Sequence, residues 1–173
     1  MEAPLDFIKI LVPASVVLYA AFLLVRTFIQ KEIELKKLEV RGRSIETVLP
    51  NRLQAYERMT LFLDRMAPQN LLVRLNVAPM PAKEFHHLLL NEIRNEYNHN
   101  ASQQIYMSPE VWEMIKNAKE DLIVTINDAA GAMSEGSTSL DLSKKIFEKT
   151  MKKDIDPIGH TLLELKKEIQ RTF

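Results

Sequence analysis

The chain has 173 residues, with 23 basic and 23 acidic side chains, four glycines and no cysteine. The absence of cysteine excludes thiol and zinc–thiolate chemistry within this sequence, and so few glycines argue against the common nucleotide-binding folds. Basic and acidic residues are interleaved without the aromatic-and-basic motifs of nucleic-acid-binding proteins, so we expect no nucleic acid partner. Strong helix formers dominate and no alternating strand pattern occurs, which predicts an all-α protein.

Residues 10–29 are the first element and are predicted to form a transmembrane helix. No charged residue lies between Lys9 and Arg26, and about 20 mostly apolar residues cover the hydrocarbon core of a bilayer. A cleaved signal peptide begins with basic residues and ends in small ones, whereas Glu2 and Asp6 precede this segment and Arg26 follows it. A buried core helix is the alternative that stays open, because helices that are apolar on every side also occur inside large soluble domains.

The charges that flank this segment predict its orientation, because basic residues close to a span stay on the cytoplasmic side. Lys9 alone precedes the segment. The basic residues that follow it are Arg26, Lys31, Lys36, Lys37, Arg41 and Arg43. We therefore expect residues 1–9 to be a short translocated tail and everything after the span to be cytoplasmic. The six following cations would lie beside anionic lipid headgroups.

Residues 30–49 are predicted to continue the helix as a basic stalk. Apolar residues recur there at alternating steps of three and four, the spacing of a coiled coil or of one face of a helix bundle. They are Leu35, Leu38, Ile45 and Leu49, and the same seam continues at Tyr56, Met59, Leu63 and Met66. Either the seam associates with a second copy, or it packs inside the bundle. The bundle is favoured because Pro50 predicts a bend or a short break in the helix.

Residues 50–173 have the length of one domain with its own core, and they predict a cytoplasmic bundle of roughly four to six helices. The expected helices end near Pro68 and then cover residues 69–75, 82–104, a segment starting at Ser108-Pro109, 141–153 and 157–171. Serine as a cap followed by proline at the first helical position is a strong signal for a helix start. The residues 131–139, rich in glycine and serine, predict a loop.

A polar cluster lies on the long helix predicted over residues 82–104. At 100 degrees per residue, four of its side chains fall within a sector of about 40 degrees beside the apolar face, and a fifth is adjacent. The cluster consists of Glu92, Glu96, His99, Asn100 and Gln103. A buried carboxylate needs a cationic partner, so one interpretation is a structural network between helices. The candidate partners are Arg52, Arg58, Lys116 and Lys119. The other interpretation is an exposed docking surface for another protein.

Two Glu-x-x-His pairs have the spacing found in carboxylate-bridged di-iron bundles. They are Glu84 with His87, and Glu96 with His99. A di-iron centre needs ligands from several facing helices, whereas both pairs lie on one helix with their histidines about 120 degrees apart. We therefore expect no metal site and no cofactor. An enzyme of the di-iron type that uses Glu92, Glu96 and His99 is the alternative.

A family resemblance rests on two strings, EYNHNASQQIY from Glu96 to Tyr106 and RLQAYER from Arg52 to Arg58, together with Trp112 and the apolar N-terminal segment. In these features the chain resembles an uncharacterised family of small single-span bacterial membrane proteins. The resemblance covers most of the chain. It implies a setting at the bacterial cytoplasmic (inner) membrane, and it implies no activity and no catalytic residue.

The sequence thus predicts a membrane-anchored, non-enzymatic helical protein that acts as a docking module, a scaffold or an accessory subunit of a bacterial membrane assembly. Its expected partners are the lipid bilayer and a protein whose identity the sequence does not disclose. Two alternatives stay open, a metal-binding helical-bundle enzyme and a homo-oligomeric coiled-coil spacer.

Overall fold

The computed structural model describes the backbone of residues 3–171, and the side chains of residue 11 and of residues 13–40 and 48–171. The described residues form seven helices and no strand. The all-α prediction is confirmed.

Six α-helices and one 3₁₀ helix follow one another along the described chain. They are α1 (Ala3–Met66), α2 (Pro68–Leu75), α3 (Ala82–Asn100), the 3₁₀ helix (Ala101–Tyr106), α4 (Pro109–Ala130), α5 (Ser139–Met151) and α6 (Pro157–Gln170). The helix start predicted at Ser108-Pro109 is confirmed, since the Ser108 hydroxyl accepts a hydrogen bond from the Val111 N–H at 3.3 Å. Thr138 and Asp141 cap α5 reciprocally, each accepting from the other's backbone N–H.

The chain divides into two compact units, Met1–Leu49 and Pro50–Phe173. In the first unit, the stretch Pro13–Val40 is long and apolar enough to cross a membrane, and 0% of its most apolar 18-residue window is buried. This confirms the prediction of an N-terminal helix with the length and composition of a span. The basic side chains exposed along Pro13–Val40 are Arg26, Lys31, Lys36 and Lys37. The side chains of Lys9, Arg41 and Arg43 lie outside the described residues.

Helix α1 continues through Pro50, so the break predicted at that residue is wrong. A proline inside a helix removes one N–H donor and crowds the preceding turn, which costs about 3 kcal/mol. The turns that follow Pro50 offset this cost by burying Ala55, Tyr56 and Met59, each at most 2% exposed. Packing inside the second unit therefore keeps the chain helical where the local sequence disfavours it.

The second unit, called the helical unit below, has a single described core to which all six α-helices contribute. Helix α4 contacts α3, α5 and α6. The largest fully buried side chains are Phe62, Phe85, Met59, Leu63, Met66, Leu71, Leu89, Ile93, Ile115, Ile126, Leu142 and Ile146.

The apolar seam predicted along α1 has two different environments. Its second half, Tyr56, Met59, Leu63 and Met66, is buried in the core of the helical unit. In the first half, Leu35 and Leu38 are 66% and 64% exposed, and the Ile45 side chain lies outside the described residues. The second half of the seam therefore packs inside the bundle, as the favoured interpretation predicts.

Glu168 on α6 connects three helices through hydrogen bonds. Its carboxylate accepts one from the Tyr56 hydroxyl on α1, and two from the Ser108 hydroxyl and N–H at the start of α4, the latter at 2.9 Å. Arg52 donates to the Tyr56 hydroxyl at 3.2 Å. Burial raises the pKa of Glu168, but the hydrogen bonds from Ser108 and Tyr56, with the Arg52 charge, outweigh it and hold that pKa below its ordinary value. Burial also raises the pKa of Tyr56, and its hydrogen bond to Glu168 adds to the rise.

Replacing Glu168 by glutamine is expected to destabilise the protein at neutral pH and much less in acid. Because the pKa of Glu168 is lowered by folding, its ionised form contributes stability above the pKa of the unfolded chain, and this is lost as pH falls through the folded pKa. We expect a loss of about 1 kcal/mol in the free energy of unfolding at pH 7, since the carboxylate is only partly buried. Chemical denaturation of the full chain in detergent, followed by circular dichroism, measures this loss.

The matched control is Glu164→Gln, one turn away on the same helix. Glu164 pairs with Lys167 at the surface, so its replacement should leave the pH 7 denaturation midpoint near that of the parent protein. Equal destabilisation by the two variants, or a Glu168→Gln loss that is the same at neutral and acid pH, would contradict the role given to Glu168.

Candidate functional site

Arginines from two other helices hold the two glutamates of the polar cluster on α3. Arg65 Nη2 on α1 lies 2.5 Å from Glu96 Oε1, and Arg74 Nη1 on α2 lies 2.5 Å from Glu92 Oε1. Arg65 Nη2 also lies 3.9 Å from Glu92 Oε1. All four side chains are partly exposed. These ion pairs tie α1 and α2 to α3 and leave the edge of the cluster open to solvent.

The partners predicted for the cluster are therefore wrong. Arg52 belongs to the Glu168 network, and Lys119 lies 4.1 Å above the ring of Tyr97. Lys116 pairs with a glutamate on its own helix. Only Arg58 lies near the cluster, without an ion pair to it. Helical periodicity shows which face of α3 carries the glutamates, but the turns of α1 and α2 that oppose this face are set by tertiary packing.

His99 and Asn100 lie at the C-terminal end of α3 and differ in their surroundings. Asn100 is 6% exposed, and its side-chain amide donates to the Glu96 carbonyl at 2.8 Å, near the point where the α-helix ends. His99 is exposed. Asn100 therefore serves the local structure, whereas the His99 imidazole is accessible to a partner.

Gln103 departs from the direction that α-helical geometry predicts. The α-helix ends at Asn100 and the chain continues as the 3₁₀ helix, in which each residue turns by about 120 degrees instead of 100. Over three residues this rotates Gln103 by about 60 degrees. Its amide donates to the Ser102 hydroxyl at 3.3 Å. With Asn51 and Gln54 of α1, it lines a depression of about 380 Å³.

Arg58 lines both this depression and a second one, of about 510 Å³, beside the two ion pairs. The side chains of the second depression that matter here are Arg58, Arg65, Glu92, Glu96, His99 and Asn100. Phe62, which is 1% exposed, also lines it and belongs to the core. Arg58 lines both depressions, and the two depressions together are called the groove below. All five residues of the predicted polar cluster line the groove.

Neither of the two Glu-x-x-His pairs is part of a metal-ligand set in the described residues, which contain no group of three or more His, Cys, Asp or Glu side chains that could hold a metal ion. Arg65 and Arg74 form ion pairs with the carboxylates of Glu96 and Glu92. His87 is exposed. The chemistry that the groove offers is therefore charge pairing and hydrogen bonding by arginine, imidazole and amide groups.

A larger cavity, of about 900 Å³, lies between the connectors 79–83 and 130–138. The connectors are joined where the Ala82 N–H donates to the Ser137 carbonyl at 2.9 Å. His86 lines the cavity. Proline and glycine predict a turn in each connector, but no signal in the sequence indicates that the two connectors meet, so this cavity was not predicted.

In its described residues the protein is all-helical, and one N-terminal helix is long and apolar enough to span a membrane. The chain belongs to the Family of unknown function (DUF7935), whose model matches residues 2–172. Nothing among the curated proteins or the solved structures matches it significantly. The resemblance to an uncharacterised family is thereby confirmed, and its bacterial and single-span features stay predictions.

A double-mutant cycle on Arg65 and Glu96 tests whether the ion pair contributes to stability. Partly exposed pairs contribute about 0.2–1 kcal/mol, so we expect a coupling energy near the upper end of that range, because the Glu96 side chain is 21% exposed. The cycle uses Arg65→Ala, Glu96→Ala and the double variant, with the free energy of unfolding measured at low and high salt. A cycle on the solvent-exposed pair Glu113 and Lys116 is the control and should give a smaller coupling. No coupling between Arg65 and Glu96 would show that the pair does not hold α1 to α3.

Proposed function

We propose that the protein is a membrane-anchored, non-enzymatic docking module or accessory subunit of a bacterial membrane assembly. In this proposal, α1 crosses the cytoplasmic membrane with its N-terminus outside, and the helical unit works in the cytoplasm. The observation that carries the proposal is the exposure of the apolar stretch Pro13–Val40, of which no part of the most apolar window is buried.

The physical argument for the anchor is the cost of leaving this stretch in water. Leu18, Leu24 and Phe28 are 75%, 73% and 68% exposed, and burying one such side chain gains about 1.5–3 kcal/mol. A core helix of a soluble protein obtains this gain from the rest of its fold. Within the described chain, the stretch Pro13–Val40 does not obtain this gain. A bilayer supplies an apolar environment of the matching length, and the helix satisfies its own backbone hydrogen bonds there.

The charges on the helix support the proposed orientation. Exposed basic side chains at Arg26, Lys31, Lys36 and Lys37 follow the apolar centre of the stretch, and Arg41 and Arg43 come next in the sequence. Basic residues next to a span stay on the cytoplasmic side and are favourable beside anionic headgroups. The helical unit begins just after these residues, at Pro50.

The docking role is supported by the construction of the helical unit. Its core is closed, and its polar cluster is arranged as an open groove held by ion pairs. In the groove, the two carboxylates are partly exposed and are paired with Arg65 and Arg74. Such a surface fits recognition better than chemistry.

Replacing Leu18 and Leu24 together by arginine should release the protein from membranes. Each arginine near the centre of a spanning helix costs about 2.5–3.5 kcal/mol. Isoleucine at both positions is the matched control, because it keeps the segment apolar. After expression in a bacterium and extraction with alkaline carbonate, the parent protein and the isoleucine control should stay in the membrane pellet, and the arginine variant should not. A parent protein that appears in the supernatant would contradict the anchor.

The orientation of the protein in the membrane can be measured in the same cells with single-cysteine variants, because the chain has no cysteine of its own. A membrane-impermeant maleimide should label Glu2→Cys in intact spheroplasts. It should label Ser134→Cys, in an exposed loop of the helical unit, only after lysis. The reverse pattern would place the helical unit outside the cytoplasm.

A further inference from the structure

Arg58 is the arginine of the groove that forms no ion pair with the described side chains. Arg65 and Arg74 pair with Glu96 and Glu92. Among the residues whose side chains the structure describes, none forms a hydrogen bond or an ion pair with Arg58. Arg58 is exposed and lines both depressions. The groove therefore carries a guanidinium that is unpaired among the described side chains, and its planar set of N–H donors suits a carboxylate.

We propose that the groove binds a short acidic segment of a protein partner, with an Asp or Glu carboxylate of that segment on Arg58. This assignment rests on the proposed docking function and names the chemistry of the partner. The affinity would come from a bidentate ion pair at Arg58, and the specificity from the groups on either side of it.

The two ends of the groove supply hydrogen-bonding groups suited to a peptide backbone. Asn51, Gln54 and Gln103 present side-chain amides at one end. Asn95 and His99 present an amide and an imidazole at the other. Amide groups both donate and accept, as peptide groups do. An extended or helical segment that crosses Arg58 can therefore exchange its water hydrogen bonds for hydrogen bonds to the groove.

Two exposed apolar side chains line the groove and indicate what flanks the acidic residue. Leu61 is 54% exposed in the larger depression, and Ile105 is 74% exposed in the smaller one. Covering such side chains on binding is favourable, because apolar surface leaves water. The segment that fits best has one acidic residue with an apolar residue on each side.

The same charges disfavour a polyanion such as a nucleic acid. Glu92 and Glu96 lie in the larger depression, so a chain of phosphates passing Arg58 would meet two carboxylates. Like charges at close range discriminate against the wrong partner. A segment with one carboxylate avoids this repulsion.

The test uses the full chain in nanodiscs of phosphatidylcholine. A phage-displayed library of random peptides, each about 12 residues long, is selected against the nanodiscs, and empty nanodiscs serve as the counter-selection. The enriched sequences should share an Asp or Glu next to apolar residues. One selected peptide is then synthesised with fluorescein, beside a version whose acidic residue is replaced by its amide, and both are titrated by fluorescence anisotropy.

Arg58→Glu should weaken binding of the acidic peptide at least tenfold, which corresponds to the loss of one charge-assisted pair. Arg58→Lys should keep part of the affinity, because it keeps the charge and loses the planar fork. Arg94→Glu is the matched control. It makes the same charge change at an exposed position of α3 outside the groove, and it should change the affinity by less than about twofold. Unchanged circular dichroism melting curves establish that the variants are folded.

Failure of this assignment differs from failure of the proposed function. Enriched peptides without an acidic residue, or equal effects of Arg58→Glu and Arg94→Glu, would overturn the assignment and leave docking at another surface intact. A library that yields no binder would overturn both. Membrane attachment is measured independently by carbonate extraction.

Discussion

Burial of one face of α1 between Ala55 and Met66 is the interaction on which the helical unit depends. Tyr56, Met59 and Leu63 enter the core at steps of three and four residues, and each is at most 2% exposed. Because a helix turns by 100 degrees per residue, burying this face fixes the direction of every other side chain in the segment. The residues that face the groove then follow at the same spacing. They are Gln54, Arg58, Leu61 and Arg65. The core and the groove are thus two faces of one helix, and Tyr56 extends the same constraint to Glu168 and hence to α6.

In the first unit the situation is the opposite, since every described side chain of the stretch Pro13–Val40 is exposed. Apolar side chains along Pro13–Val40 are exposed on every side, and the proposed bilayer replaces the protein core as their apolar environment. In the proposed docking role, attachment to a membrane raises the effective concentration of partners in the same membrane, so a weak contact at the groove contributes more to binding than it would in solution. A groove of modest size is consistent with such a role.

The parts of the structure that depend on local sequence could be predicted. The all-α fold, the apolar N-terminal helix and the start at Ser108 follow from composition, length and capping chemistry, which act within a few residues. Periodicity predicts that the cluster residues up to Asn100 share one side of α3, and they line one depression. The failures are tertiary. Pro50 stays helical because its neighbours pack in the core, and Gln103 turns away because the helix tightens.

The partners of the polar cluster could not be predicted for a related reason. Arg65 and Arg74 face Glu96 and Glu92 because of how α1, α2 and α3 cross, and sequence spacing on one helix contains no information about that crossing. The loop cavity between connectors 79–83 and 130–138 depends on the same kind of information. In each case the sequence gives the residue types, but it does not show that these residues lie close together.

Spin-label accessibility in liposomes tests most directly whether the exposed apolar helix lies within a bilayer. Single cysteines at Leu18, Leu24 and Leu61 carry a nitroxide, and its relaxation is measured with oxygen, which concentrates in hydrocarbon, and with a polar nickel chelate, which stays in water. Insertion of the helix predicts high oxygen and low nickel accessibility at Leu18 and Leu24, and high nickel accessibility at Leu61, a solvent-exposed position of the helical unit. High nickel accessibility at all three positions would contradict it.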